Sequence, residues 1–398
     1  MPSYGPGPLE GIRVLDFSRV YSGPFCGRAL SDLGADVVKI EPPDGDLSRF
    51  LGPKSGSLTR YHAQQNAGKR NISLDLHRPE AHDVLFKLVE SADILLENFR
   101  PGVMDRFGLG YDAVAAVNPS IIYASLTGWG QTGPWRGRRA YAVIVHAEAG
   151  LTSGIIERGG APRNDGFSHA DVYTGLQCAI AILAALQHRN RTGHGQHVDV
   201  AMAATMLSVN EHAGNELAGE GKAPGPRLYK TRDGEYMTTS ADAWAPGVFE
   251  LFCKAMNRKE LLDDPRFADP KERARNREAL HELVTEWVLG FDTAAAVEAA
   301  LDAVRLPVGV VRSVEQLADT DWARERDAIT DVSDRSGGTI RLPSSPWRFS
   351  DADAGIRRDP AWRGEHNREV LAEAGYTDAQ IDALEADGVL SNRPPRPT

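Results

Sequence analysis

Asp171 stands where a loop rich in glycine, asparagine and serine gives way to an apolar run. Gly166-Phe167-Ser168-His169-Ala170-Asp171-Val172-Tyr173-Thr174-Gly175 leads into Leu176. Leu176, Ala179, Ile180, Leu183 and Leu186 then recur at helical spacing, which predicts a helix with one buried face. A carboxylate at the start of such a helix meets unpaired backbone N–H groups and the positive end of the helix dipole, and both favour its ionised form. By position alone Asp171 is an N-cap. The chemical alternative is a carboxylate held ready as a nucleophile, a role that needs support from elsewhere in the chain.

Other reactive residue types narrow the choice. The three cysteines, Cys26, Cys178 and Cys253, are far apart and each lies among apolar neighbours. No disulfide framework and no zinc site are expected, and a reducing cytoplasm is. His194 and His197 lie in a loop without an acidic or thiol partner at ligand spacing, so no metal is expected. The turn at residues 18–24 has one glycine where a dinucleotide fingerprint has three, and no Walker-type sequence occurs. A formal net charge of −10 argues against nucleic acid. Basic residues still cluster in the first third, at Lys69-Arg70, Arg100, Arg106, Arg136, Arg138 and Arg139. Such clusters suit a small anionic ligand, although a run of exposed charge is most often a solvated face.

The elements that must position these groups follow from periodicity. At 398 residues the chain exceeds one ordinary core. Residues 12–17 read as a buried strand, 23–33 as a helix closed by Gly34, and 36–41 as a second strand. The alternation repeats with a helix at 79–91, a strand at 93–97, a helix from 104 and a strand at 120–125. It predicts an α/β fold, a Rossmann-like open parallel sheet with helices on both faces. Ligands in such sheets sit beyond the carboxyl ends of the strands, so the loops at 18–24, 42–52, 98–102 and 127–141 are the ones to watch. From 225 to 325 short strands and charged amphipathic helices (246–256, 271–289, 293–304) predict a smaller α+β domain. Domains are therefore expected at 1–224 and 225–325, with 326–398 as a C-terminal segment. No window approaches eighteen uninterrupted apolar residues, and residues 1–8 lack the pattern of a signal peptide; no membrane span is expected.

Several blocks, in order, carry a resemblance. They are Leu9-Glu10-Gly11-Ile12-Arg13-Val14-Leu15-Asp16-Phe17 with Ser22-Gly23-Pro24, residues 33–41, Asn66-Ala67-Gly68-Lys69-Arg70, Glu97-Asn98-Phe99-Arg100-Pro101-Gly102, Thr127-Gly128-Trp129-Gly130 and Thr192-Gly193-His194-Gly195-Gln196. Together they resemble the class III coenzyme A transferase family, which holds formyl-CoA transferases, carnitine CoA-transferases and 2-methylacyl-CoA racemases. The resemblance implies an interlocked homodimer and a large domain completed by the C-terminal segment. It implies coenzyme A, as acyl-CoA, and an organic acid as substrates, with no tightly bound cofactor. The family's catalytic aspartate falls on Asp171, which turns the N-cap into a nucleophile. Tyr21 and Tyr141 mark the loops that would stabilise oxyanions. Asn98, Phe99, Arg106 and Phe107 match the adenosine site, Arg139 a position near the CoA phosphates, and Lys69 and Arg70 further phosphate contacts.

Two departures bear on the reaction. The racemase branch has a His-Asp dipeptide where this chain has Tyr141-Ala142. A racemase needs two acid/base groups, and a tyrosine of ordinary pKa near ~10 is a poor one. His146 and His169 are the histidines left to relocate that base. A racemase, and a non-catalytic CoA-binding protein, thus stand as alternatives to the transferase. Where formyl-CoA transferases carry a glutamine and a glycine run, this chain has Tyr21 and a segment containing Trp244. That implies a larger organic or aromatic acid than formate or oxalate.

Overall fold

The computed structural model describes residues 4–157, 166–219 and 227–392. By its contacts the chain forms two compact units, residues 1–220 with 324–398, and residues 221–323.

The first unit begins with β1 (Arg13–Asp16), α1 (Ser22–Asp32) and β2 (Asp36–Glu41). A small hairpin follows, β3 (Lys54–Ser55) with β4 (Leu58–Thr59), then α2 (Arg60–Asn66) and β5 (Arg70–Ser73). Next come α3 (Pro79–Val89), β6 (Ile94–Glu97), α4 (Val103–Arg106), α5 (Tyr111–Val117) and β7 (Ile122–Thr127). The third stretch holds α6 (Ala142–Glu148), α7 (Leu151–Glu157), α8 (His169–Thr192), β8 (Gln196–Ala201), α9 (Met202–Ser208) and α10 (Ala213–Leu217).

Six strands form one parallel sheet in the order β5-β2-β1-β6-β7-β8. The central strands are buried almost throughout, because helices cover both faces of a parallel sheet. Leu15, Phe17, Leu95 and Tyr123 point to one core with Val84, Leu85 and Leu88 of α3. Val14, Val37, Ile94, Leu96 and Ile122 point to the other, with Leu30 of α1 and Cys178 and Ile182 of α8. The strand order reverses between β1 and β6, the switch point where such sheets open a crevice at their carboxyl ends. The loops leaving Asp16 and Glu97 flank that point.

Helix α8 is 24 residues long, and by length and composition apolar enough to cross a membrane. Its buried side is small or apolar: Thr174, Gly175, Cys178, Ala179, Ile182, Ala185 and Leu186. It packs on α1, itself buried along nearly its whole length. Gly175 makes the close crossing possible, since a Cβ there would lie 2.7 Å from the Ser22 carbonyl oxygen.

The unexpected strand is β5. Its letters, Arg70-Asn71-Ile72-Ser73, lack an apolar run, yet all four residues are buried. The C-terminal segment satisfies them: His366 Nδ1 accepts the Asn71 N–H at 3.1 Å and Asn367 Oδ1 accepts the Ser73 N–H at 2.9 Å. The helix expected from 104 divides into α4 and α5 because Gly108, at φ +68, turns the chain.

The second unit has a three-stranded antiparallel sheet, β9 (Leu228–Lys230), β10 (Tyr236–Thr239) and β11 (Val308–Val310), in the order β11-β10-β9. Around it lie α11 (Val248–Ala255), α12 (Pro270–Arg275), α13 (Arg277–Leu289), α14 (Ala294–Asp302) and α15 (Val314–Ala318). Phe249, Phe252, Phe267, Leu280, Val284 and Val297 make its own core. The helix expected over 271–289 breaks at Asn276, whose side-chain amide bonds back to the Glu272 carbonyl at 2.9 Å. After α16 (Asp321–Glu325), the hairpin β12 (Ile329–Ser333) with β13 (Thr339–Pro343) and helices α17 (Asn367–Glu373) and α18 (Asp378–Ala386) return to the first unit.

Candidate active site

At the switch point the loop after β1 is held from several sides. Asn98, the residue after β6, accepts the Arg19 N–H at 2.7 Å and donates to the Arg19 carbonyl at 2.8 Å. Its amide also reaches the Ser22 hydroxyl at 3.2 Å. The loop is thereby fixed, and α1 starts at a set place. At that start the N–H groups of Ser22 and Gly23 have no hydrogen-bond partner among the described residues, and Pro24 carries none. An α-helix leaves such donors at its N-terminus together with partial positive charge.

Asp171 lies in the first turn of α8, half-buried, and faces that end of α1. Burial pushes its carboxyl up to about 6, while a hydrogen bond from the Ser22 hydroxyl pulls the other way. Among the described residues no cation forms an ion pair with it. Tyr21 and Tyr61 close the near side, with ring centroids 5.6 Å apart, and Tyr21 sets its edge on Phe25 at 6.0 Å. Both phenols are raised above their ordinary pKa, by burial first and by the Asp171 charge second. They stay protonated at neutral pH and can donate. Gln65 bonds to the Tyr21 phenol.

Sequence reasoning missed Tyr61 and Gln65. They share a face of α2 at helical spacing, but nothing in the string relates α2 to Asp171. The pairing exists only after the sheet has brought α2 beside α1.

Of the expected residues, Asp171 and Tyr21 come together. Tyr141 is the N-cap residue of α6 and 67% exposed. His146 is buried and its Nε2 accepts the Ala170 N–H at 3.0 Å, which anchors the first turn of α8. That nitrogen cannot take a proton without losing the bond. His169 stacks on Tyr173 at 5.6 Å.

The coenzyme-side residues divide. Lys69 is buried, and its ammonium donates to Asp16 at 2.8 Å, the Pro24 carbonyl at 2.9 Å and Asn66 at 3.0 Å. An ammonium has three protons, so none is left for a phosphate. Arg70 is buried against Asp36, Glu369 and Glu373. Both therefore hold the fold together, contrary to the phosphate role expected for them. Arg106 and Arg139 are exposed. Phe99 is half-buried under the Arg19 guanidinium, 5.2 Å from its centroid, and Phe107 packs edge-on to His77 at 5.5 Å. Beside this loop a cavity of about 220 Å³ opens at the strand ends, lined by Glu97, Arg100, Met104, Tyr111 and His197 among others. Burial pushes Glu97 up to about 7 there, against hydrogen bonds from Ser125 and the Phe99 N–H.

This arrangement is a half-desolvated carboxylate, without a cationic partner among the described residues, set against open N–H groups and two phenols. Known proteins resemble the chain over nearly its whole length. The profile of CoA-transferase family III matches residues 9–367. A succinyl-CoA–D-citramalate CoA-transferase of Chloroflexus aurantiacus is 31% identical, over 97% of this chain and 98% of its own length. A probable fatty acyl-CoA transferase of Mycobacterium tuberculosis is 34% identical, over 94% of this chain and 100% of its own. Among solved structures, a CAIB/BAIF family protein from Brucella suis superposes with a TM-score of 0.82 at 32% identity, covering 93% of this chain and 100% of that one. On the strength of the profile and of these full-length relatives, the chain belongs to CoA-transferase family III and is an enzyme of that class.

Proposed function

We propose that the protein moves coenzyme A from an acyl-CoA thioester to a free carboxylic acid, with Asp171 as the covalent carrier. The observation that carries this is the state of Asp171: raised to about 6, it is ionised at pH 7, yet no cation among the described residues neutralises it. A carboxylate in that state is available for attack.

The ionised oxygen of Asp171 adds to the thioester carbonyl carbon; the C–S bond breaks and CoA leaves as thiolate, giving a mixed anhydride. The thiolate then adds to the Asp171 side-chain carbonyl, the donor acid leaves as carboxylate, and an aspartyl-CoA thioester remains. The acceptor carboxylate attacks that thioester and expels CoA thiolate. The thiolate finally attacks the acceptor's acyl carbon, releasing the new acyl-CoA and the free Asp171 carboxylate. Each addition places negative charge on a carbonyl oxygen, and preorganised donors lower its cost. In this reading the N–H groups of Ser22 and Gly23 and the phenols of Tyr21 and Tyr61 supply them.

The adenosine of CoA is assigned to the loop of Asn98 and Phe99 with Arg106 and Phe107, and Arg139 to its phosphates. Tyr21 beside the nucleophile favours an acid larger than formate. Leu176, Ile180 and Leu183 form an exposed apolar row on α8, which a second copy would cover in a homodimer. His146 Nε2 is engaged by the Ala170 N–H, which weighs against one of the two histidines that could stand in for the racemase base.

Hydroxylamine quenching of the enzyme during turnover tests the carrier: a hydroxamate is expected at Asp171 in the peptide map. Asp171→Ala should abolish exchange of labelled CoA between acids. Full exchange by that variant would end the proposal. Solvent deuterium entering the α-carbon of a 2-methylacyl-CoA would instead favour the racemase.

A further inference from the structure

Val20, two residues before Ser22, has φ +66. A β-branched residue is strained there, because its Cβ crowds the backbone, and it persists only where the surroundings over-determine it. The Val20 N–H donates to both carboxylate oxygens of Asp46, each at 3.2 Å. Asp46 is fully buried, and pairs with the equally buried Lys39 at 3.0 Å. Lys39 in turn donates to the Ser18 carbonyl at 2.7 Å. One buried ion pair thus grips the backbone on both sides of Arg19. Asp46 also accepts the Ser48 N–H at 2.8 Å, and its own N–H donates to Glu41 at 2.8 Å, so its place is fixed.

A glycine at position 20 would adopt this turn without strain. The chain instead has valine and an external grip. Tyr21 and Ser22, the next two residues along the chain, are the ones beside the Asp171 carboxylate. We infer that Asp46 is a positioning residue for the reaction: by holding the Val20 N–H it fixes the left-handed turn that aims Tyr21, the Ser22 hydroxyl and the open end of α1 at the Asp171 carboxylate. This rests on the transferase reading above. The plainer role, neutralising Lys39 and capping the turn at 47–50, makes different predictions.

Two double variants separate the roles, both without a buried unpaired charge. Lys39→Met/Asp46→Asn keeps an oxygen that can accept from Val20; Lys39→Met/Asp46→Leu does not. Positioning predicts that the leucine double loses about 30-fold or more in kcat relative to the asparagine double, with KM for acyl-CoA within about 3-fold. Adding Val20→Gly to the leucine double should recover at least about 3-fold of that loss, since glycine takes the turn unaided. Equal kcat in the two doubles, or no recovery with glycine, overturns the inference. If the leucine double does not fold, Lys39→Met/Asp46→Ala is read by the same criteria. If neither apolar double folds while the asparagine double does, Asp46 serves stability and the inference falls. Failure of the transferase reading is distinguishable, because it shows as CoA exchange by Asp171→Ala whatever the Asp46 variants do.

Discussion

A carboxylate raised to about 6 is a stronger nucleophile than an ordinary aspartate and is still ionised at neutral pH. Transfer activity should therefore fall about tenfold per pH unit below that midpoint and be level above it. The Ser22 hydroxyl opposes the rise, so Ser22→Ala should move the midpoint upward by as much as about one pH unit; kcat/KM across the acid range measures it. The same shift bears on stability. Folded Asp171 holds its proton more tightly than the unfolded chain does, so its contribution is present below the ordinary aspartate pKa and is lost as pH rises through about 6. Asp171→Asn should then raise the unfolding free energy at neutral pH by up to roughly 3 kcal/mol, seen as a higher Tm, and leave it unchanged below the ordinary pKa. The cationic residues divide in the same physical terms. Lys69→Met strands the buried Asp16 carboxylate and should cost about 3–5 kcal/mol, seen as a fall in the denaturation midpoint. Exposed Arg139→Ala should leave that midpoint alone and raise KM for acyl-CoA. Residue types and motif order pointed to Asp171 and Tyr21. They misplaced Lys69 and Arg70, because a letter does not say whether its charge faces solvent or a buried carboxylate.

Elements decide how closely these groups meet. Helices α1 and α8 cross with Gly175 against the Ser22 carbonyl, and that contact sets the separation between Ser22 and Asp171. Gly175→Ala forces the helices apart; overpacking of this kind costs about 1–3 kcal/mol. Because the displacement falls on Asp171, the proposed nucleophile, kcat should drop further than the stability loss explains, which parallel melts and initial rates would show. Strands carrying adjacent branched apolar residues, such as Val37-Val38 in β2 and Ile94-Leu95-Leu96 in β6, were legible from sequence, and so was α8 from its period. β5 was not, since its backbone N–H groups are satisfied by side chains almost three hundred positions away in sequence. The split between α4 and α5 depends on a glycine whose positive φ is visible only in the folded backbone.

At the scale of the molecule, the C-terminal segment belongs with the first unit because β5 would otherwise be an open sheet edge with buried polar groups, a costly state. The alternation of strands and helices announced the sheet, but the return of the C-terminal segment left no periodic trace and came only through family resemblance. The outer row on α8 poses the remaining question of assembly. Leu176, Ile180 and Leu183 are 37%, 59% and 38% exposed and lie on one side of the helix whose other side packs on α1. Val143 and Ile144 of α6 add further apolar surface, each 42% exposed. Apolar area of this kind on neighbouring helices marks an interaction site more often than a bare surface. A second copy covering it would press on the helix whose first turn carries Asp171, so assembly and activity should fail together. Ile180→Glu with Leu183→Glu places two charges in that row without touching the core. Light scattering should then show loss of the dimer, and the monomer should have little CoA exchange while keeping its far-UV circular dichroism. A double variant that remains dimeric and fully active would remove this face of α8 from the interface.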